Sequence, residues 1–272
     1  MKPRPFDYAR PDTVEEAVAL LAEYGDDARV LAGGQSLMAM MNLRLAEPAV
    51  LVDIARIAAL SHIRDLGDAI EVGAAVTQNT LLAWPELANK LPLLAAALPH
   101  VGHFQTRNKG TVCGSIAHAD PSSELPLSLA ALEGSVVLRS ARGERTVPAS
   151  EFQIDMLTTA REPDELIVAV RFPVHTGRGA AFREVARRHG DFAIVAVAAF
   201  TDGKGGATLG VGGMAGTPVV RQVSPGDAKE AANALAAELE GYEDLHASAE
   251  LRRDLLRNLG PIVIEEAHKC AA

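Results

Sequence analysis

Cysteine is nearly absent: Cys113 and Cys270 are the only two in 272 residues. They stand far apart, so no metal-ligand spacing and no disulfide framework can be built from them. An iron–sulfur cluster held by this chain alone is excluded as well, because such clusters take four thiolates. Positive charge is also scarce. Lys and Arg number 26 against 35 Asp and Glu, a formal net charge of -9. The most basic stretch is the four-residue ARRH at 186–189. A phosphate backbone would be repelled by such a surface, so nucleic acid is not an expected partner. No run of about eighteen apolar residues exists, which argues against a membrane span. The opening MKPRPFDYARPDT carries prolines and charges where a secretory signal needs an apolar core, so the expected location is cytoplasmic.

What is present is a sizeable core. Apolar residues make up 48% of the chain, mostly Ala, Val and Leu with only 4% aromatic, and the length suggests about two domains. Thr13-Val-Glu-Glu16 is a capping-box pattern opening a helix that Gly25 stops. Residues 28–32 and 49–54 read as strands, the second apolar enough to be buried on both faces, so the first fifty-odd residues form a β-α-β lobe. Two strands around Gly67, helices over 77–84, 86–98 and 126–133, a hairpin across Ala141–Gly143 and a strong strand over 165–172 follow. The segment PVHTGRG, 173–179, is the expected domain boundary. Beyond it come four strand-like runs and two helices near 226–240 and 248–268. The second helix has Leu251, Leu255, Leu259 and Ile262 at the spacing of one apolar face.

Several patterns that could carry chemistry fail on context. Gly210-x-Gly212-x-x-Ala215 resembles a dinucleotide fingerprint, but it continues into TPVVRQV instead of the helix that the pyrophosphate needs. His118-x-Asp120 lacks a third ligand, and a loop histidine held by local hydrogen bonds is the expected role. No nucleophile elbow and no phosphate-binding glycine-lysine loop is found. Two stretches remain. LAGGQSL places Ala32, Gly33, Gly34, Gln35 and Ser36 after a strand, either as a plain strand-to-helix turn or as a backbone cradle for negative oxygens, with Ser36 as cap of the helix that follows. The 27-residue passage 100–126 is polar and rich in small residues; it contains Thr111, Val112, Cys113, Gly114 and Ser115, and a compact domain rarely keeps such length without a use. Asp120 and Glu124 offer carboxylates able to accept from ribose or ribityl hydroxyls.

VLAGGQSL together with TRNKGTVCGSIAHADPSSELP resembles the flavin-binding medium subunit of the molybdenum hydroxylases, the group that includes carbon monoxide dehydrogenase, xanthine dehydrogenase and bacterial N-heterocycle hydroxylases. The likeness runs from FDYARPDTVEEAVALL through ARRHGDFAIVAVAA to HASAELRRDLLRNL. It implies an α+β fold: a two-lobed FAD-binding domain of the vanillyl-alcohol-oxidase (PCMH) type over 1–175, with lobes of about 1–57 and 58–175, then a smaller α+β domain over 176–272. It also implies that Ala32 to Ser36 wrap the pyrophosphate of a non-covalent FAD and that Thr111 to Ser115 add a second set of contacts. Glu124 matches a carboxylate at the flavin nucleotide and Ile167 an aliphatic residue beside it. Arg183 stands where the family often has lysine. The family usually reads T-x-G-G at the second loop; Cys113 departs from it, either near the flavin and oxidisable or as a small buried residue in the glycine's place.

The resulting expectation is an electron-transfer flavoprotein with no catalytic acid–base pair and no metal of its own. A large partner would hold molybdenum in a molybdopterin cofactor and a small partner the [2Fe–2S] clusters, assembled as a dimer of heterotrimers. The alternatives are a free-standing flavin oxidase on the same scaffold and a flavin-free assembly scaffold.

Overall fold

The computed structural model describes residues 1–175 and 177–271; Thr176, inside the expected boundary segment, and Ala272 lie outside the described residues. The chain is a mixed α+β structure built on three sheets. The first is parallel: β1 (Asp7–Ala9), β2 (Ala28–Leu31) and β3 (Val50–Asp53), with β3 central. Val50, Leu51 and Val52 are buried on both sides, as their unbroken apolar run requires. The connecting helix Val14–Tyr24 starts where Thr13 Oγ1 accepts from the Glu16 N–H at 3.2 Å. The reciprocal bond of the capping box is displaced by one residue, since Glu16 takes the N–H of Asp12. Val14, Ala17, Val18 and Leu21 turn inward, each large one contributing about 1.5–3 kcal/mol on burial.

The second sheet is antiparallel, in the order β4 (Ile63–Asp65), β5 (Ala69–Gly73), β10 (Leu166–Pro173), β6 (Ser135–Ser140), β7 (Gly143–Pro148). A small hairpin of β8 (Gln153–Asp155) and β9 (Thr158–Thr159), with no clear signal in the sequence, precedes β10. The third sheet runs β11 (Ala180–Val185), β12 (Val195–Thr201), β13 (Ala207–Gly212), β14 (Val219–Val223). Every residue of β12 is buried, because both faces are covered. Phe182, Ala196, Ala198 and Phe200 join the core of the first two sheets. Ala181, Val195, Val197 and Ala199 pack under the helices Ala228–Glu238 and Ala249–Cys270.

Several sequence expectations shift. The passage 100–126 is not one loop: it holds the short helices Phe104–Arg107 and Val112–His118, so His118 ends a helix instead of sitting in a loop. The helix expected at 126–133 is Glu124–Ala131, and the one expected at 86–98 is broken into Leu87–Lys90 and Pro92–Ala97 by Pro92. The last helix is rotated from its Leu spacing. Leu251 and Ile262 are exposed, whereas Arg252, Leu256, Gly260, Val263, Ile264 and Ala267 are buried. Arg252 is 1% exposed and donates to the carbonyls of Ile194 and Gly213 and to Asp244, lying 4.1 Å over the Tyr242 ring. The rejected dinucleotide fingerprint has a packing reason. A side chain at Gly210 or Gly212 would meet Leu127 of the helix Glu124–Ala131 at 3.0 or 3.4 Å. Among the described residues no helix is long and apolar enough to cross a membrane.

Candidate functional site: two loops in backbone contact

The first loop leaves β2 after Leu31, whose carbonyl accepts from the Ile54 N–H at 3.0 Å and so fixes the loop to the end of β3. The glycine pair has two distinct duties. Gly34 turns the chain with φ +68, a region costly to other residues. Gly33 makes the close approach: a Cβ there would lie 2.2 Å from the Lys109 carbonyl oxygen and 2.7 Å from Gly110 Cα. The neighbour that the glycine pair must approach is therefore the second loop of the same chain. Among the described residues no acceptor binds the N–H groups of Gly33 through Leu37. Ser36 occupies the N-cap position of the helix Leu37–Asn42, but its side chain makes no capping bond, contrary to expectation. Gln35 donates to the Gly33 carbonyl at 3.2 Å.

The second loop is braced from behind. Thr106 O accepts from both Lys109 N and Gly110 N, Gly110 O accepts from Gln78 N at 2.8 Å, and Val112 N donates to Val76 O at 3.1 Å. Thr111, buried, caps the helix Val112–His118 through Oγ1, which accepts from the Gly114 N–H at 3.0 Å. A side chain at Gly114 would meet that hydroxyl oxygen at 2.7 Å, so the cap would have to shift to admit one. Val112 and Cys113 point inward while Gly114 and Ser115 stay partly exposed. Cys113 is 3% exposed, its Sγ donates to Val72 O at 3.5 Å, and burial pushes its thiol well above the usual range. It fills core space. Gln78 Oε1, buried behind Gly110, has no hydrogen-bond partner among the described residues.

These observations fit a dinucleotide phosphate. A row of unpaired backbone donors on one loop, held against the backbone of a second, is a nest for anionic oxygens. A separate apolar cleft of about 470 Å³, lined by Leu129, Phe152 and Pro218 among others, contains none of these loop residues.

The remaining expected contacts divide. Asp120 Oδ1 accepts from Ser122 N at 2.8 Å, closing the turn into the helix Glu124–Ala131. Glu124 opens that helix, 4% exposed, and burial pushes its carboxyl up to about 8. Ile167 is buried beside a bulge where β10 changes register against β6. Arg183 has a partner within the chain. Its guanidinium is bonded in bidentate fashion to Glu266 of the last helix, at 2.8 and 2.6 Å. Strand alternation explains this: in β11, Phe182 and Glu184 look toward the first core, and Arg183 looks away from it. The residue on the inward side is Glu184, which the sequence reading missed. Its Oε1 lies 3.4 Å from His100 Nδ1, and its Oε2 is buried without a partner among the described residues.

The family described as FAD binding domain in molybdopterin dehydrogenase matches residues 4–175. The chain belongs to this FAD-binding family. It is 38% identical over 275 residues to the 6-hydroxypseudooxynicotine dehydrogenase complex subunit alpha of Paenarthrobacter nicotinovorans, covering 95% of this chain and 93% of that one. It is 39% identical to the carbon monoxide dehydrogenase medium chain of Afipia carboxidovorans, covering 80% and 78%. The solved carbon monoxide dehydrogenase of Hydrogenophaga pseudoflava superposes over the whole of both chains with a TM-score of 0.95 at 34% identity. The protein is thus an FAD-binding medium subunit of the molybdenum hydroxylase type, an oxidoreductase component.

Proposed function

We propose that this subunit relays electrons from [2Fe–2S] clusters on a small partner to an external acceptor, with substrate oxidised at a molybdopterin centre on a large partner. The observation that carries the reading is the backbone contact of Gly33 with Lys109 and Gly110, which holds the unpaired donors of the first loop against the second. Ala32 to Ser36 hold the pyrophosphate through main-chain N–H groups, and Thr111 to Ser115 form the opposing wall, Val112 and Cys113 through backbone alone. Asp120 and Glu124 lie toward the hydroxyl-bearing part of the nucleotide, with Ile167 alongside. Residues 1–175 form the FAD-binding domain and 176–272 the smaller one. Bound FAD supplies the ability to accept electrons singly and store a pair; the chain's own residues bind and orient it.

Relatives named as subunits of a dehydrogenase complex and as medium chains support the assembly. Two such trimers pair into a dimer of heterotrimers. The test is turnover by the isolated chain. Expected is a yellow protein that releases all its FAD on denaturation and hydroxylates no substrate. Mixed with the iron–sulfur and molybdenum chains, its flavin should be reduced after the iron–sulfur absorbance bleaches. Turnover by the isolated, metal-free chain at the rate of the full complex would establish a free-standing oxidase instead.

A further inference from the structure

The connection between β11 and β12 leans on the turn that feeds the second loop. Gly190, within that connection, has φ +86, and a Cβ there would stand 2.8 Å from two atoms of the His103 ring and 2.9 Å from the Gly102 carbonyl carbon. The His189 ring continues the contact, its centroid 6.4 Å from those of His100 and His103. The connection is stiff. Ile194 N donates to Val185 O at 2.7 Å across its base, the buried Arg252 donates to Ile194 O, and Asp191 accepts from Arg188 Nε at 3.1 Å. On the other side, Arg107 carries the contact onward. Its Nη1 donates to Val101 O and Gly102 O, each at 2.9 Å, and its backbone N–H donates to His103 O at 3.0 Å. The helix Phe104–Arg107 presents Thr106 O, which accepts from Lys109 N and Gly110 N at 3.1 and 2.7 Å. Those are the two residues that Gly33 meets. An unbroken series of contacts therefore runs from Gly190 to the glycine pair, and it starts outside the residues 4–175 that the family matches.

We infer that Gly190 is a positioning residue for the flavin site: the C-terminal part of the chain braces the 101–107 turn and thereby sets how close the Lys109 carbonyl lies to Gly33. This rests on the reading that the two loops hold the FAD pyrophosphate. Glycine permits the approach because it has no Cβ and adopts positive φ freely. A methyl group at Gly190 must displace either the β11–β12 connection or the turn. The connection is fixed to two paired strands and to Arg252, whereas the turn is held by one guanidinium and one turn of helix. The turn is the softer side and yields first. Its displacement moves Thr106 O and, with it, Lys109 and Gly110. Arg107 is the relay, since its side chain and its backbone hold carbonyls on both sides of the bend.

The test is FAD titration of the flavin-free full chain, together with the phosphorus NMR spectrum of the bound cofactor. Gly190→Ala should weaken FAD at least about tenfold and shift the two phosphorus resonances. Gly203→Ala is the control, because Gly203 has φ +75 and its Cβ would meet nothing within 4 Å. Both variants carry the strain of a positive φ, so both should melt lower, but Gly203→Ala should keep the wild-type Kd and resonances. Arg107→Ala should reproduce the loss of affinity, and added guanidinium should recover part of it. Combined with Gly190→Ala, it should cost less than the product of the two separate losses, since both act through one turn. A Gly190→Ala protein with unmoved resonances and a Kd within about threefold of Gly203→Ala overturns the brace. If Gly190→Ala does not fold, Arg107→Ala decides, and an unchanged Kd there refutes the relay. Normal FAD binding by Gly33→Ala would instead sink the reading of the loops themselves.

Discussion

Replacing Gly33 by alanine tests the loop contact most directly. The added Cβ would sit 2.2 Å from the Lys109 carbonyl oxygen, and ordinary contact begins at 3.4 Å. The second loop cannot easily yield, because Lys109 and Gly110 both donate to Thr106 O and Gly110 O is bonded to Gln78. The first loop must therefore move by roughly an ångström, enough to take an N–H···O contact from about 2.9 Å beyond hydrogen-bond range. Each lost bond to a charged phosphate oxygen costs about 1.5–3 kcal/mol, which is roughly ten- to a hundredfold in Kd. With two bonds lost, FAD should bind about 10²- to 10⁴-fold more weakly. Gly34→Ala serves as the control. Its penalty is the positive φ, about 1–2 kcal/mol of stability, while the nearest atoms are flexible ends of Leu31 and Met38. Its loss of FAD affinity should be the smaller. The assay is titration of the flavin-free protein with FAD, alongside a thermal melt. A Gly33→Ala protein with normal melting and a Kd within about threefold of wild type would refute the account of the loop.

Two more expectations concern residues that the sequence nominated. Arg183→Ala should leave FAD affinity unchanged and barely move the melting temperature, since an exposed ion pair adds little and the guanidinium is 52% exposed and engaged with Glu266; a marked loss of flavin in equilibrium dialysis would make it a cofactor contact instead. In native protein a thiol reagent should modify Cys270 and spare Cys113 until unfolding, because one is exposed and the other buried with a raised thiol pKa. Fast native-state labelling of Cys113 would disprove its place in the core.

Much of this was legible from the chain itself. The parallel lobe followed from the capping pattern at Thr13 and the doubly apolar run at 50–52, since each reflects local hydrogen bonding or burial. The two loops that the fold brings into contact were visible as small residues where a compact domain rarely keeps them. The failures share a physical cause: facing depends on partners distant in sequence. Arg183 and Glu184 differ by one position on β11, and two charged residues in a row do not reveal which one turns toward the core. The last helix was misjudged because its buried face includes Arg252 and Gly260, which an apolar-spacing rule passes over. Gly260 is needed there because a side chain would meet the Cβ of Ala232 at 2.8 Å. His100 and Glu184, 84 positions apart, gave no signal at all.

The two-sided burial of β12 has a consequence for how such a subunit can be rearranged through recombination. Alternate residues of that strand belong to different cores, and Leu127 of the helix Glu124–Ala131 lies against the glycines of β13. The segment at 173–179 divides the sequence but does not divide the packing. A crossover placed there, joining the front of one relative to the back of another, would mismatch Leu127, Ala131 and Phe182 with unfamiliar neighbours. The workable unit of exchange is the third sheet together with the helix that covers it, so inheritance of the C-terminal part is bound to inheritance of the residue that opens that helix, Glu124.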